Sequence, residues 1–234
     1  MRIQLIEHDP EDFSRTNISF WAAEKGHPVN QIYVCNDEAL PPLNSFDWLM
    51  VMGGSQNAWD EQANSWLQEE KAFVAEALAQ DKLFLGICFG AQLLAEALGG
   101  KIFPNEHQEI GWHEVSLTHA GRESFLFQNL PSPFVTFHWH SDHFSLPGSC
   151  TRLAFSSPTE NQAFTCSRRP AVGLQFHPEY TRDMIRYYAA DHSQDWVPDK
   201  YVSSGDKVLA RTETLPDTYG LMETLLNNMM QKFA

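Results

Sequence analysis

Cys88 stands within Gly86-Ile87-Cys88-Phe89-Gly90, between an apolar run at residues 83–87 and a small-residue stretch at 89–98 that reads as a helix. A side chain at such a strand-to-helix junction sits on a tight turn, and flanking glycines relieve the crowding the turn creates, as in the nucleophile elbow of hydrolases. The free N–H groups and macrodipole at the start of a helix favour negative charge on sulfur. The amide of the following residue, Phe89, can face an oxyanion as it develops. A thiolate nucleophile also needs a base and a group that orients the base. Gly173-Leu174-Gln175-Phe176-His177-Pro178-Glu179 offers both. Residues two apart on a strand share a face, so a strand running through His177 into its loop presents imidazole and carboxylate together. The plainer alternatives are a buried structural cysteine and a surface turn at His-Pro-Glu. Both motifs in one chain argue for a catalytic pair.

A second cluster reads His138-Trp139-His140-Ser141-Asp142-His143. This HxHxDH pattern also occurs in metallo-β-lactamase-like hydrolases, where it binds zinc, and imidazole with carboxylate suits that ion. There it follows a long β-rich segment, whereas here it follows βα units. A zinc hydrolase is therefore the lesser reading, and no metal is expected. The remaining histidines (His8, His27, His107, His113, His119 and His192) are scattered and read as solvated or locally bonded. Cys35, Cys88, Cys150 and Cys166 lie far apart without a CxxC pair and read as free thiols in a reducing compartment.

The elements that must position these residues alternate in the first half. Residues 2–7 carry an Ile/Leu alternation, after which Asp9, Pro10 and Asp12 read as the N-cap and first turn of a helix ending near Gly26. Residues 47–52 form an apolar run that stops at Gly53-Gly54, and Ser65 with Gln68 resembles a capping box opening the next helix. The strand at 83–87 and the helix at 89–98, closed by Gly99-Gly100, form a third unit. Repeated βα units imply a parallel sheet with helices on both faces. In the second half, strand-like runs at 112–117, 134–140, 152–156, 162–166 and 171–177 follow one another and read as antiparallel or mixed strands completing that sheet. Helical patterning returns after Thr181 through Met184, Ile185 and Tyr188, then through Met222, Leu225, Leu226, Met229 and Phe233. The segment from 194 to 217 is polar and broken by Pro198, Gly205 and Pro216. Trp21, Trp48, Trp59, Trp66 and Trp112 read as core or pocket walls.

The chain has 234 residues, with 30 acidic against 16 basic side chains and a formal charge of −14. Such a field repels a phosphate backbone, which argues against a nucleic-acid partner. The first residues are apolar only briefly before acids intervene, so neither a signal peptide nor a membrane anchor is expected, and the reading is cytoplasmic. The acidic excess reads as solvated surface.

Taken together, GICFGAQ, GLQFHPEY and the MVMGGS turn resemble the class I (triad) glutamine amidotransferases, whose motifs stand in the same order across residues 1–181. HWHSDHF and NQAF are similar to stand-alone members related to the amidotransferase domain of GMP synthase. The resemblance implies a flavodoxin-like α/β fold, an open and mostly parallel sheet flanked by helices. It implies one domain over 1–234, with a core at about 1–181 and a C-terminal helical extension at 182–234. It implies that Cys88 is the nucleophile, His177 the base and Glu179 its orienter. Gly54 and Phe89 would supply oxyanion amides, and Gln92 would contact bound glutamine. In that reading Ser141 and Asp142 help hold the amino-acid end of the substrate, while His138 and His143 are structural.

Two departures stand out. Ser55-Gln56 follow Gly54 where the family usually has proline. No phosphate loop is present either, because Gly99-Gly100-Lys101 is followed by Ile102 and lacks the earlier glycine. No cofactor is expected, and an acceptor would be activated on a separate synthetase subunit. The expected reaction releases ammonia from the glutamine side-chain amide through a Cys88 thioester. A stand-alone γ-glutamyl peptide hydrolase and a non-catalytic binding module remain the alternatives.

Overall fold

Three apolar runs in the first half lie side by side. In the computed structural model, which describes residues 1–9, 16–191, 197–214 and 218–233, β1 (Ile3–Glu7), β3 (Trp48–Val51) and β4 (Leu83–Ile87) are buried parallel neighbours. They are joined on one side by β2 (Val29–Tyr33) and on the other by β9 (Arg169–Leu174), both parallel to their neighbours. Four further strands, β5 (Ile102–Leu117), β6 (Phe134–Phe144), β7 (Cys150–Phe155) and β8 (Ala163–Cys166), pair antiparallel. The nine-stranded order is β2-β1-β3-β4-β9-β8-β7-β5-β6.

Parallel strands need crossovers, and helices provide them. α1 (Asn17–Lys25) and α7 (Tyr219–Phe233) cover one face, where Trp21 and Trp48 meet edge to face with ring centres 5.8 Å apart. On the other face, α2 (Leu67–Ala79) and α3 (Phe89–Ala97) bury Phe73, Val74, Leu93 and Leu94. Each such side chain contributes roughly 1.5–3 kcal/mol on leaving water. A short helix, α4 (His119–Glu123), lies beside β7, and α5 (Arg182–Asp191) packs against α6 (Gly205–Thr214) beyond the sheet. Among the described residues, no helix is long and apolar enough to cross a membrane.

Several expectations change. The N-cap of α1 is Thr16, whose hydroxyl accepts from Ser19 N–H; Asp9 instead accepts from the backbone N–H and hydroxyl of Ser55. Pro10 and Asp12 lie outside the described residues. The Ser65/Gln68 capping box does not form, because Ser65 and Trp66 are turn residues and α2 opens at Leu67 without a side-chain cap. β2 escapes a pattern-based reading as a largely exposed edge strand without an apolar face. β5 begins ten residues before the expected 112, where its polar first half pairs with β6 through backbone hydrogen bonds rather than an apolar pattern. The polar 194–217 segment contains α6, which buries little beyond Val208 and Thr212; Gln194, Pro216 and Asp217 lie outside the described residues, as does His192.

Cys150 and Cys166 are not free thiols. They face each other across β7 and β8 and form a disulfide, whereas Cys88 keeps its thiol. Their sixteen-residue separation defeats a reading based on CxxC spacing, since only strand register brings them together.

Candidate active site

The carboxyl ends of β1, β3, β4 and β9 open on the same edge of the sheet, where ligands of open α/β folds gather. Each end delivers one piece of the site. β4 delivers Cys88, held at φ 51° and ψ −105° between strand and helix. Its N–H donates to Leu174 O at 2.7 Å, and Gln92 N–H returns to Cys88 O at 3.0 Å. The turn is possible because a β-carbon at Gly86 would strike the Gly90 carbonyl, and one at Gly90 would strike Val51 O. The elbow is thus wedged against β3, and its cysteine is nearly buried at 5% exposure.

β9 delivers the other two members. It ends at Leu174, so His177 and Glu179 share a side through a turn at Pro178 rather than through the strand alternation expected. His177 N–H donates to Phe137 O, and the Asn17 side chain donates to the Pro178 and Tyr180 carbonyls. Nδ1 of His177 lies 2.7 Å from Glu179 Oε1, both side chains being buried. Burial pushes the imidazole towards neutrality, but the charge of Glu179, the sulfur of Cys88 and hydrogen bonds to both outweigh it and raise its pKa to about 10. The Gln175 amide donates to Cys88 Sγ at 3.4 Å, and Sγ lies 3.7 Å from Trp139 O. Sequence reasoning misses Gln175 as a site residue although it sits inside the GLQFHPEY motif; only its position past the end of β9 reveals the contact.

β3 delivers the Gly53-Gly54 turn. A β-carbon at Gly53 would lie 2.9 Å from His177 Cε1 and 3.7 Å from Cys88 Cβ, so this glycine packs where Cys88 and His177 meet. Gly54, Cys88, Phe89, Gln92, Ser141 and Asp142 line one open cleft of about 390 Å³. Gln92 Nε2 reaches Asp142 O at 3.5 Å, while Asp142 Oδ2 accepts from Trp59 Nε1 at 2.9 Å. Trp59 is half-exposed, neither core nor part of the cleft lining, and reaches the site only through that bond to Asp142.

The HxHxDH residues do not converge. On β6, His138, His140 and Asp142 share the buried face, whereas His143 turns to the other side and meets Phe103. His138 and His140 instead approach Glu109 on β5, with 3.6 and 3.2 Å between nitrogen and Oε2. Those three are the one group among the described residues whose ligand atoms lie close enough to share a metal. However, Glu109 Oε2 already accepts from Ser156, Gln162 and His140. Burial holds His138 neutral, lowering its pKa to about 3, and disfavours the Glu109 charge, which the hydrogen bond to His140 supports. His8, expected to be solvated or locally bonded, is bonded and not solvated. It is fully buried and bonded to Glu70, so neither Glu70 nor Glu109 belongs to the solvated acidic surface.

Residues 18–186 match the profile of the family described as glutamine amidotransferase class-I. A glutamine amidotransferase-like protein, YfeJ, of Salmonella typhimurium is 30% identical over 203 residues, covering 85% of this chain and 84% of its own. A subunit of the glutamine-hydrolysing GMP synthase of Thermoplasma acidophilum is 30% identical over 174 residues, covering 72% and 83%. The crystal structure of a glutamine amidotransferase from Thermotoga maritima superposes with a TM-score of 0.86 at 29% identity, covering 97% of each chain.

Proposed function

The chain belongs to the class-I glutamine amidotransferase family, and we propose that it hydrolyses the side-chain amide of glutamine through a thioester on Cys88. The observation that carries this reading is the placement of His177. With Nδ1 committed to Glu179, its buried Nε2 has no other partner among the described residues and is left for the Cys88 sulfur. In the proposed sequence, Cys88 Sγ attacks the amide carbon, the carbon–nitrogen bond breaks, and His177 gives its proton to the leaving ammonia. Water then attacks the thioester while His177 takes its proton. The carbon–sulfur bond breaks, and glutamate leaves with the thiolate restored.

The amides of Gly54 and Phe89 are proposed to hold the oxyanion. Gln92, Ser141 and Asp142 are proposed to anchor the amino-acid end several bonds away. The proposed steps call on no metal or other cofactor. The first five strands in space, β2-β1-β3-β4-β9, support a flavodoxin-like arrangement, into which β5 to β8 are inserted before the last parallel strand. The whole chain is read as one domain, with a core at 1–181 and the extension at 182–234.

The ammonia is proposed to serve a separate synthetase, as in the relative named as a GMP synthase subunit. Free glutaminase activity is then low until that partner docks. A second reading, hydrolysis of γ-glutamyl peptides, is favoured by the extent of the cleft past Cys88 to Gln108 and Ile110, beyond the residues assigned to glutamine. Ammonia or amine release from glutamine and γ-glutamyl dipeptides, measured with wild-type protein, Cys88→Ala and added chelator, separates the readings. Release that needs Cys88 and ignores chelator supports the thiol mechanism; chelator-sensitive release that survives Cys88→Ala overturns it. Fast dipeptide turnover with slow glutamine turnover installs the peptidase.

A further inference from the structure

His8 lies one residue past β1, fully buried beneath the Gly53-Gly54 turn. Its Nδ1 is 3.0 Å from Gly53 O, and its Nε2 is 3.0 and 3.2 Å from the two oxygens of Glu70 on α2, also fully buried. The ring packs on Phe89 and Trp66, with centres 4.5 and 5.5 Å away. A backbone carbonyl and an ionised carboxylate can only accept hydrogen bonds, so both contacts are satisfied together when both ring nitrogens carry protons. Burial opposes that charge. Glu70, the Gly53 carbonyl and neighbouring Glu7 outweigh it and raise the imidazole pKa. Gln56 donates its side-chain amide to His8 O.

We propose that the His8 imidazolium, neutralised by Glu70, is a positioning group that fixes the Gly53–Gly54 peptide with the Gly54 N–H turned towards Cys88. This rests on the reading that the Gly54 amide completes an oxyanion hole. A peptide unit is planar and trans, so its C=O and the following N–H point in opposite directions. Holding the Gly53 carbonyl down on the His8 side therefore aims the Gly54 N–H the other way. Rotation of the peptide would present a carbonyl oxygen to the developing oxyanion and would break a charge-assisted bond in a buried place, where such bonds are strongest. A hole held in this way needs no reorganisation when charge develops in it.

The test uses Glu70→Gln and His8→Gln in the full chain. Ammonia release from glutamine is followed with enzyme in excess, so that slow turnover is still read, and alkylation of Cys88 by iodoacetamide is followed in parallel. In alkylation the sulfur displaces iodide at a saturated carbon, a step that develops no oxyanion and needs no oxyanion hole. The expected result is a loss of about 100-fold in the rate of ammonia release, the scale of one lost oxyanion donor. Half-saturating glutamine and the Cys88 alkylation rate should change by no more than a few-fold. Variants that release ammonia at the wild-type rate overturn the positioning role and leave the Cys88 mechanism standing; loss of alkylation along with turnover overturns it in favour of a purely structural pair. Should both variants fail to fold, the ring of His8 in the wild type decides by ¹⁵N NMR at neutral pH. Two slowly exchanging ring N–H protons are expected, and a single one overturns the proposal. Absence of Cys88-dependent release from wild-type protein would instead count against the proposed function itself, a failure distinct from the others.

Discussion

His177 and Glu179 meet through a 2.7 Å contact between Nδ1 and Oε1, with Pro178 turning the chain between them and both side chains sealed from solvent. The carboxylate fixes which imidazole nitrogen faces the sulfur. It is also the foremost of the influences that carry the His177 pKa upward against burial. Glu179→Gln should keep the hydrogen bond and lose the charge. Turnover should fall by about 10⁴-fold, the loss seen when a triad acid becomes an amide. The alkaline limit of the rate should also move to lower pH, because the imidazolium now loses its proton earlier; steady-state rates across pH check both.

Gly53 fills the space where nucleophile and base approach. The β-carbon introduced by Gly53→Ala would lie 2.9 Å from His177 Cε1, so the ring must shift. Misplacement of a catalytic group by as much as an ångström costs about 10²-fold. We expect that loss in turnover with the far-ultraviolet circular dichroism unchanged, since the turn keeps its backbone and only the base moves.

The site is legible where chemistry depends on local sequence. Cys88 between Gly86 and Gly90 announces an elbow, and His177 with Glu179 announces a base and its orienter, because each arrangement is made by residues within one turn of chain. His8 and Glu70 are 62 residues apart and meet only through the packing of α2 on the sheet, so each reads as ordinary surface. Gln175 sits inside a recognised motif, but its contact with Cys88 depends on where β9 stops. The same limit governs the fold. Buried strands such as β3 and β4 are continuous apolar runs, whereas β2 and the first half of β5 are held by backbone pairing that leaves no side-chain pattern. The Cys150–Cys166 bond follows from strand register, which composition does not contain.

Glu7 closes β1 near Glu179. Burial, with Glu179 and Asp9 nearby, raises its pKa from 4.5 to about 8, despite the opposing pull of His8. A carboxyl whose folded value exceeds its unfolded value holds its proton more tightly when folded, so stability falls as pH rises from about 4.5 towards 8. Glu7→Gln removes that dependence. Its melting temperature should exceed the wild type's by a few degrees at pH 8 and match it near pH 4; equal differences at both values would contradict the assignment.

In the proposed mechanism Cys88 carries the γ-glutamyl group. Intact-protein mass spectrometry, followed by peptide mapping after brief exposure to a glutamine-analogue electrophile, reads this directly even where free turnover is slow. One covalent adduct per chain is expected, located on Cys88, suppressed by excess glutamine and absent from Cys88→Ala, with Cys35 left unmodified. An adduct on Cys35, or equal modification of both thiols with no protection by glutamine, would contradict it.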